Sequence, residues 1–157
     1  MMHKVGMAEA KVAGAGDSLR TLGLGSCVGV ALYDPIVKIG GLLHVMLPAS
    51  GGKTELPAKY VDTGLPYVIH LMKDAGAQTR HIIAKLAGGA QMFALTTGSD
   101  IVRVGPRNVE AVSQWLQEAG IPIVATDVGG SIGRTVELFT ETGAFSIRTA
   151  QFGERFL

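Results

Sequence analysis

The chain has 157 residues, 47% of them hydrophobic and only 17% charged, with a formal net charge of +1 and a mean hydropathy of +0.32. That balance excludes a disordered chain, and the lack of any lysine or arginine cluster leaves no electrostatic footprint for nucleic acid or an anionic membrane. No apolar run approaches the roughly 20 residues of a membrane span; the start, Met1 to Gly6, lacks a signal peptide's apolar stretch, and one cysteine excludes an internal disulfide or a multi-cysteine zinc site.

A single cytoplasmic domain over 1–157 is therefore expected, long enough to bury a sizeable core. The 22 glycines against 6 prolines fall in short clusters between apolar runs, as in a chain of strands joined by tight turns. Strands are expected over 4–12, 18–24 and 27–33, the last because Val28, Val30 and Leu32 alternate with Gly29, Ala31 and Tyr33. Asp34-Pro35 breaks that run, and 39–47 returns as a further strand ending at Pro48. With the turn centred between Pro35 and Ile36, Val28 faces Leu43, Leu32 faces Ile39, and Cys27 faces His44. Gly29, Ala31 and Gly40 share the face of that pair and leave room for another element or a substrate. The opposite face, with Val28, Val30, Leu32, Leu43 and Val45, reads as core.

The first helix begins between Tyr60 and Pro66 and runs through Val68, Ile69 and Met72 to Asp74, stopping at Gly76. Strands follow over 81–87 and 101–104. From Asn108, read as an N-cap, Val109, Val112, Leu116 and Ala119 take helical spacing up to Gly120, with Trp115 at the stripe's edge as a core residue. Strands over 122–127, 135–140 and 144–149 close the chain. The fold class is α+β: a layered sandwich with a central strand-rich core and two amphipathic helices outside.

Three glycine segments invite comparison with phosphate loops. Gly52-Lys53-Thr54 has Leu47 where a P-loop's first glycine must stand, and Gly23-Leu24-Gly25 meets Val28 where a dinucleotide fingerprint needs a third glycine. Gly129 to Arg134 reads either as an anion nest or, twice as readily, as a tight turn. His3, His70 and His81 show no metal-ligand spacing, so neither a metal nor a cofactor is expected.

The chemistry centres on Cys27 and His44. A free cysteine is usually a small buried hydrophobe, and a histidine in an apolar strand is usually a hydrogen-bonded core group. Against that stand the glycine-rich approach Gly23 to Gly25, the cross-strand histidine and the absence of a second cysteine. Spacing alone leaves nucleophile and core residue evenly matched. As a nucleophile, Cys27 needs its thiol deprotonated, with His44 as base; Thr21 upstream can orient the ring through its hydroxyl. Gly25 lets backbone approach a substrate, and the amides at Ser26 or Cys27 can face a developing oxyanion. Such a set suits attack on an amide, a thioester intermediate, release of ammonia or an amine, then hydrolysis.

The run Thr21-Leu22-Gly23-Leu24-Gly25-Ser26-Cys27-Val28-Gly29-Val30 with Gly41-Leu42-Leu43-His44-Val45-Met46-Leu47-Pro48 resembles the chemoreceptor glutamine deamidases called CheD. The resemblance continues through Tyr60-Val61-Asp62, Lys85 to Phe93, Gly105-Pro106-Arg107-Asn108-Val109 and Asp127 to Thr135. It implies Cys27 as nucleophile, His44 as its base and Thr21 as third member. It implies hydrolysis of glutamine side chains on the cytoplasmic helices of bacterial chemoreceptors to glutamate, with methyl-glutamate ester hydrolysis as a second activity. It further implies the CheC phosphatase as a partner, and a fold similar to the catalytic domain of cytotoxic necrotizing factor toxins. Two other functions compete: a cysteine peptidase or ester hydrolase using the same pair, and a non-catalytic adaptor that binds CheC with Cys27 merely buried.

Overall fold

The computed structural model describes residues 1–91 and 103–157. Among these, ten strands and two α-helices follow one another as β1 (Met2–Lys4), β2 (Ala10–Ala13), β3 (Ser18–Leu24), β4 (Val28–Asp34), β5 (Ile39–Val45), α1 (Val61–Asp74), β6 (Ile83–Gly88), α2 (Val104–Glu118), β7 (Ile123–Val128), β8 (Arg134–Phe139), β9 (Phe145–Thr149) and β10 (Gly153–Phe156). They form two five-stranded sheets, ordered β1-β3-β8-β9-β10 and β2-β5-β4-β6-β7. Both are mixed: β1 with β3 and β6 with β7 run parallel, and the other pairs are antiparallel.

The layering follows from the alternation in β4, where every residue is buried. Val28, Val30 and Leu32 join Leu43, Val45, Ala84 and Leu86 on one face, against Leu65, Val68 and Met72 of α1 and Val112 and Leu116 of α2. Ala31 turns the other way, with Leu42 and Ala87, toward Leu19, Leu24, Val136, Leu138, Phe145 and Ile147 of the second sheet. The order is helices, sheet, sheet. Each fully buried aliphatic side chain in these two cores contributes about 1.5–3 kcal/mol.

Glycines set how closely the layers approach. A Cβ on Gly40 would lie 2.8 Å from Leu138 Cδ2, and one on Gly29 would lie 2.9 Å from Leu24 Cδ1. The room expected above Gly29 and Gly40 is thus filled by the second sheet. On the opposite face Gly41 does the same for α1, where a Cβ would meet Val68 Cγ2 at 2.9 Å. The helices end as expected: Gly76 and Gly120 follow α1 and α2 with φ of 113° and 73°, the left-handed conformation that favours glycine. Trp115 packs against the helix-side core, as its place on the stripe implies.

Four expectations need correction. The strand expected over 4–12 is two strands in different sheets, because Gly6 and Glu9 form a turn in which Gly6 N–H donates to the Glu9 carboxylate at 2.9 Å. The β4–β5 turn is centred one residue later: Asp34 pairs with Ile39, and the Asp34 carboxylate accepts the Ile36 and Val37 amides at 2.9 and 3.4 Å. The register therefore moves by two residues, so His44 lies opposite Gly29 and not Cys27. A shift of two keeps every side chain on its expected face. The second helix starts at Val104, four residues before Asn108, which is an interior position and not an N-cap. Of the strand expected over 101–104, the first two residues lie outside the described residues, Arg103 precedes α2 and Val104 opens it.

Candidate active site

Two separate pieces of architecture meet at the candidate site. The first lies between the sheets. His44, near the end of β5, is fully buried, and its Nδ1 lies 2.7 Å from Oγ1 of Thr21, which β3 of the facing sheet carries. The expected partner is present, but across the sandwich and not on a neighbouring strand. β3 has an irregularity between Thr21 and Leu24, with Gly23 at φ 68°, beyond which its pairing to β8 resumes in a different register. The main chain of His44 is tied to the 8–9 turn, donating to Glu9 O at 3.0 Å and accepting from Ala8 N at 3.1 Å. Burial lowers the ring's pKa from 6.5 to about 4, so the imidazole is neutral at ordinary pH. Nε2 is buried and has no hydrogen-bond partner among the described residues.

The second piece is the segment Gly25-Ser26-Cys27, which lies between β3 and β4 and belongs to neither. Without a ladder its backbone is held group by group. Gly25 O accepts from Ala90 N at 2.8 Å, Ser26 O from Asn108 Nδ2 at 3.0 Å, and Cys27 O from Gly89 N at 2.8 Å. Three consecutive carbonyls are thus held on the side of 88–90 and α2. The peptide bonds among the described residues are all trans, so the N–H groups of Ser26 and Cys27 point opposite to the bonded carbonyls of Gly25 and Ser26. Cys27 is partly exposed; burial pushes its thiol pKa up, and its own backbone amide acts in the opposite direction. Relative to His44 it is a diagonal neighbour across the β4–β5 pair, one position beyond the last paired residue, Val28.

Sequence reasoning missed what supports that segment. Gly88 has φ 101° and a Cβ there would lie 2.4 Å from Cys27 O; at Gly89, φ 64°, it would lie 2.2 Å from Val109 Cγ2. A Cβ on Gly105, in the first turn of α2, would lie 2.4 Å from Ala90 O. Glycine at all three positions lets helix, turn and the Gly25-Ser26-Cys27 segment approach closely. Asn108, the chain's only asparagine, is fully buried on the stripe that α2 turns inward. A signal for it existed in that pattern: one amide among Val112 and Leu116 at helical spacing.

The Gly129 to Arg134 loop is not an open anion nest. The Arg134 guanidinium donates to the carbonyls of Gly129 at 2.9 Å and Gly88 at 3.3 Å and to Asp127 Oδ1 at 3.2 Å. The glycines make the turn between β7 and β8, the reading that spacing favoured. The other three histidines each lie beside an aspartate: His3 with Asp17, His70 with Asp74 and His81 with Asp34.

Among known proteins, a family model described as CheD chemotactic sensory transduction matches residues 46–149. The chain is 50% identical over 155 residues to the chemoreceptor glutamine deamidase CheD of Halalkalibacterium halodurans, covering 97% of this chain and 96% of that protein. It is 47% identical over 156 residues to a probable chemoreceptor glutamine deamidase CheD of Caldanaerobacter subterraneus, covering 98% and 96%. A counterpart from Archaeoglobus fulgidus is 46% identical over 153 residues, again covering 98% and 96%. The chain belongs to the CheD family.

Proposed function

We propose that this chain is a protein-glutamine deamidase acting on the cytoplasmic helices of chemoreceptors, built as one CheD-like domain over 1–157 and working in the cytoplasm. The observation that carries the reading is the buried Thr21–His44 hydrogen bond of 2.7 Å with Nε2 left open, one diagonal step from the chain's only cysteine. With Nδ1–H donating to Thr21, Nε2 carries the free lone pair and takes the Cys27 proton as sulfur attacks the carboxamide carbon. Negative charge develops on the amide oxygen, where the Cys27 amide, with Ser26 and Gly25 beside it, lines the approach. The imidazolium returns its proton to nitrogen, the C–N bond breaks, ammonia leaves, and a thioester remains on Cys27. Water then attacks as Nε2 takes its proton, the C–S bond breaks, the imidazolium returns the proton to sulfur, and glutamate leaves with the thiol regenerated. A methyl-glutamate ester would follow the same course with methanol leaving.

The resting protonation states, a neutral imidazole beside a neutral thiol, fit a base that acts during the reaction. A carboxylate in place of an amide changes repulsion between neighbouring receptor helices, which links the chemistry to signalling. The CheC phosphatase is the partner this reading carries, and the toxin deamidase domains are its structural counterpart. The adaptor reading draws on the raised thiol pKa and the unbonded Nε2. Mass spectrometry of a purified chemoreceptor cytoplasmic fragment separates the two. Conversion of particular glutamines to glutamate by the native chain is expected, with a loss of at least about 10³-fold in Cys27→Ala and His44→Ala. An unmodified cognate receptor, with CheC binding intact in both variants, would establish the adaptor instead.

A further inference from the structure

The side chain of Asn108 lies outside the catalytic trio, yet it joins the two halves of the site. Its Nδ2 has two hydrogens, and both are used: one bond runs to Ser26 O at 3.0 Å, the other to Met46 O at 2.9 Å. Ser26 directly precedes the nucleophile, and Met46 follows by two residues the histidine on the strand that leads out of β5. One planar amide, on a helix that packs against the opposite face of the sheet, therefore bridges the nucleophile's peptide and the base's strand. Its Oδ1 is buried with no partner among the described residues, an uncompensated acceptor that a purely structural filler such as leucine would not carry.

We infer that Asn108 is a positioning residue for the reaction: by holding Ser26 O it turns the Cys27 N–H toward the reacting sulfur, and by holding Met46 O it keeps that peptide in register with His44. The first half follows from peptide geometry, because the Cys27 N–H is antiparallel to the carbonyl that Asn108 holds. The Cys27 amide does act on its own thiol, favouring the thiolate. The same N–H is an oxyanion donor in the proposed reaction, so releasing it loosens both attack and charge stabilisation. Few other residues fit: aspartate has no donor for the carbonyls, and glutamine's extra methylene overshoots them.

This inference rests on the deamidase reading for its kinetic arm only, and a second arm reads the thiol directly. Asn108→Ala and Asn108→Ser are compared with the native full-length chain, together with thermal melting and titration of the accessible thiol. On a receptor fragment, kcat per titratable thiol is expected to fall about 10- to 100-fold with KM within about twofold, the signature of misplacement by a fraction of an ångström to one ångström. Iodoacetamide alkylation of Cys27 is expected to move its pH midpoint upward in both variants, with serine the milder. An unchanged midpoint and unchanged kcat per thiol in a folded variant would overturn the inference, leaving Asn108 as packing. If the native chain deamidates nothing, the functional reading fails while the alkylation midpoint still decides this one. If neither variant folds, the native side chain decides: two separate, slowly exchanging carboxamide proton signals with cross-peaks to the 26–27 and 46 segments support it, and a rapidly exchanging averaged pair overturns it.

Discussion

The two halves of the candidate site, His44 with Thr21 and the Cys27 segment, are held in opposite ways. His44 and Thr21 sit in paired strands of two facing sheets, fully or almost fully buried, and make a 2.7 Å contact in the packed interface. Cys27 lies in a segment without a strand ladder, partly exposed, its backbone held one carbonyl at a time by Gly89, Ala90 and Asn108. The difference teaches how a small domain divides the work. On the proposed reading, the base is oriented by the packed interface between the sheets, and the nucleophile that meets a protein substrate sits on a rim stiffened by hydrogen bonds.

The sharpest test of the buried half is acid stability. The His44 pKa is about 4 in the fold against an ordinary 6.5, so the fold binds fewer protons than the unfolded chain between those values. That contribution is fully present above pH 6.5 and is lost as pH falls toward 4, amounting to about 3 kcal/mol. Denaturant unfolding across this window is expected to show the loss, and His44→Gln to flatten it. An equal slope in His44→Gln would mean the ring is not sequestered as described. Next comes Thr21→Val, which keeps the shape but removes the ring's partner; kcat is expected to drop about 10- to 100-fold, equivalent to about 1.4–2.7 kcal/mol, with partial rescue by Thr21→Ser. Full activity in Thr21→Val would remove threonine from the site. The smallest effect is expected from Gly40→Ala, whose new methyl would lie 2.8 Å from Leu138 Cδ2 in the sheet interface. Thermal melting should fall by the equivalent of about 1–2 kcal/mol, with kcat per folded molecule unchanged.

The buried half was the more legible in the sequence, and the reason is periodicity. Alternation over Val28 to Tyr33 and the apolar return over 39–47 ending at Pro48 identified the strands, and the hairpin pairing assigned Cys27 and His44 to one face, which a two-residue shift left intact. The shift itself was hidden because Asp34 caps the turn with its carboxylate and Lys38 adopts φ 57°, a conformation its side chain does not advertise. The crossing of the chain from β1 to β2 was also hidden, since Val5 and Val12 continue an apolar pattern through a turn that switches sheets. β10 gave no signal because all four residues are exposed and nothing alternates. The supports of Cys27 were the least legible: Gly88, Gly89 and Gly105 matter through contacts with segments distant in sequence, and Asn108 looked like a cap because asparagine commonly is one.

The most direct measurement of the central claim is acid-quenched mass spectrometry of the chain during turnover with a cognate receptor fragment. A covalent adduct on Cys27 equal to the fragment less ammonia, absent from Cys27→Ala and abolished by hydroxylamine, is the result expected of a thioester mechanism. Conversion of receptor glutamines at the native rate by Cys27→Ala would contradict the account.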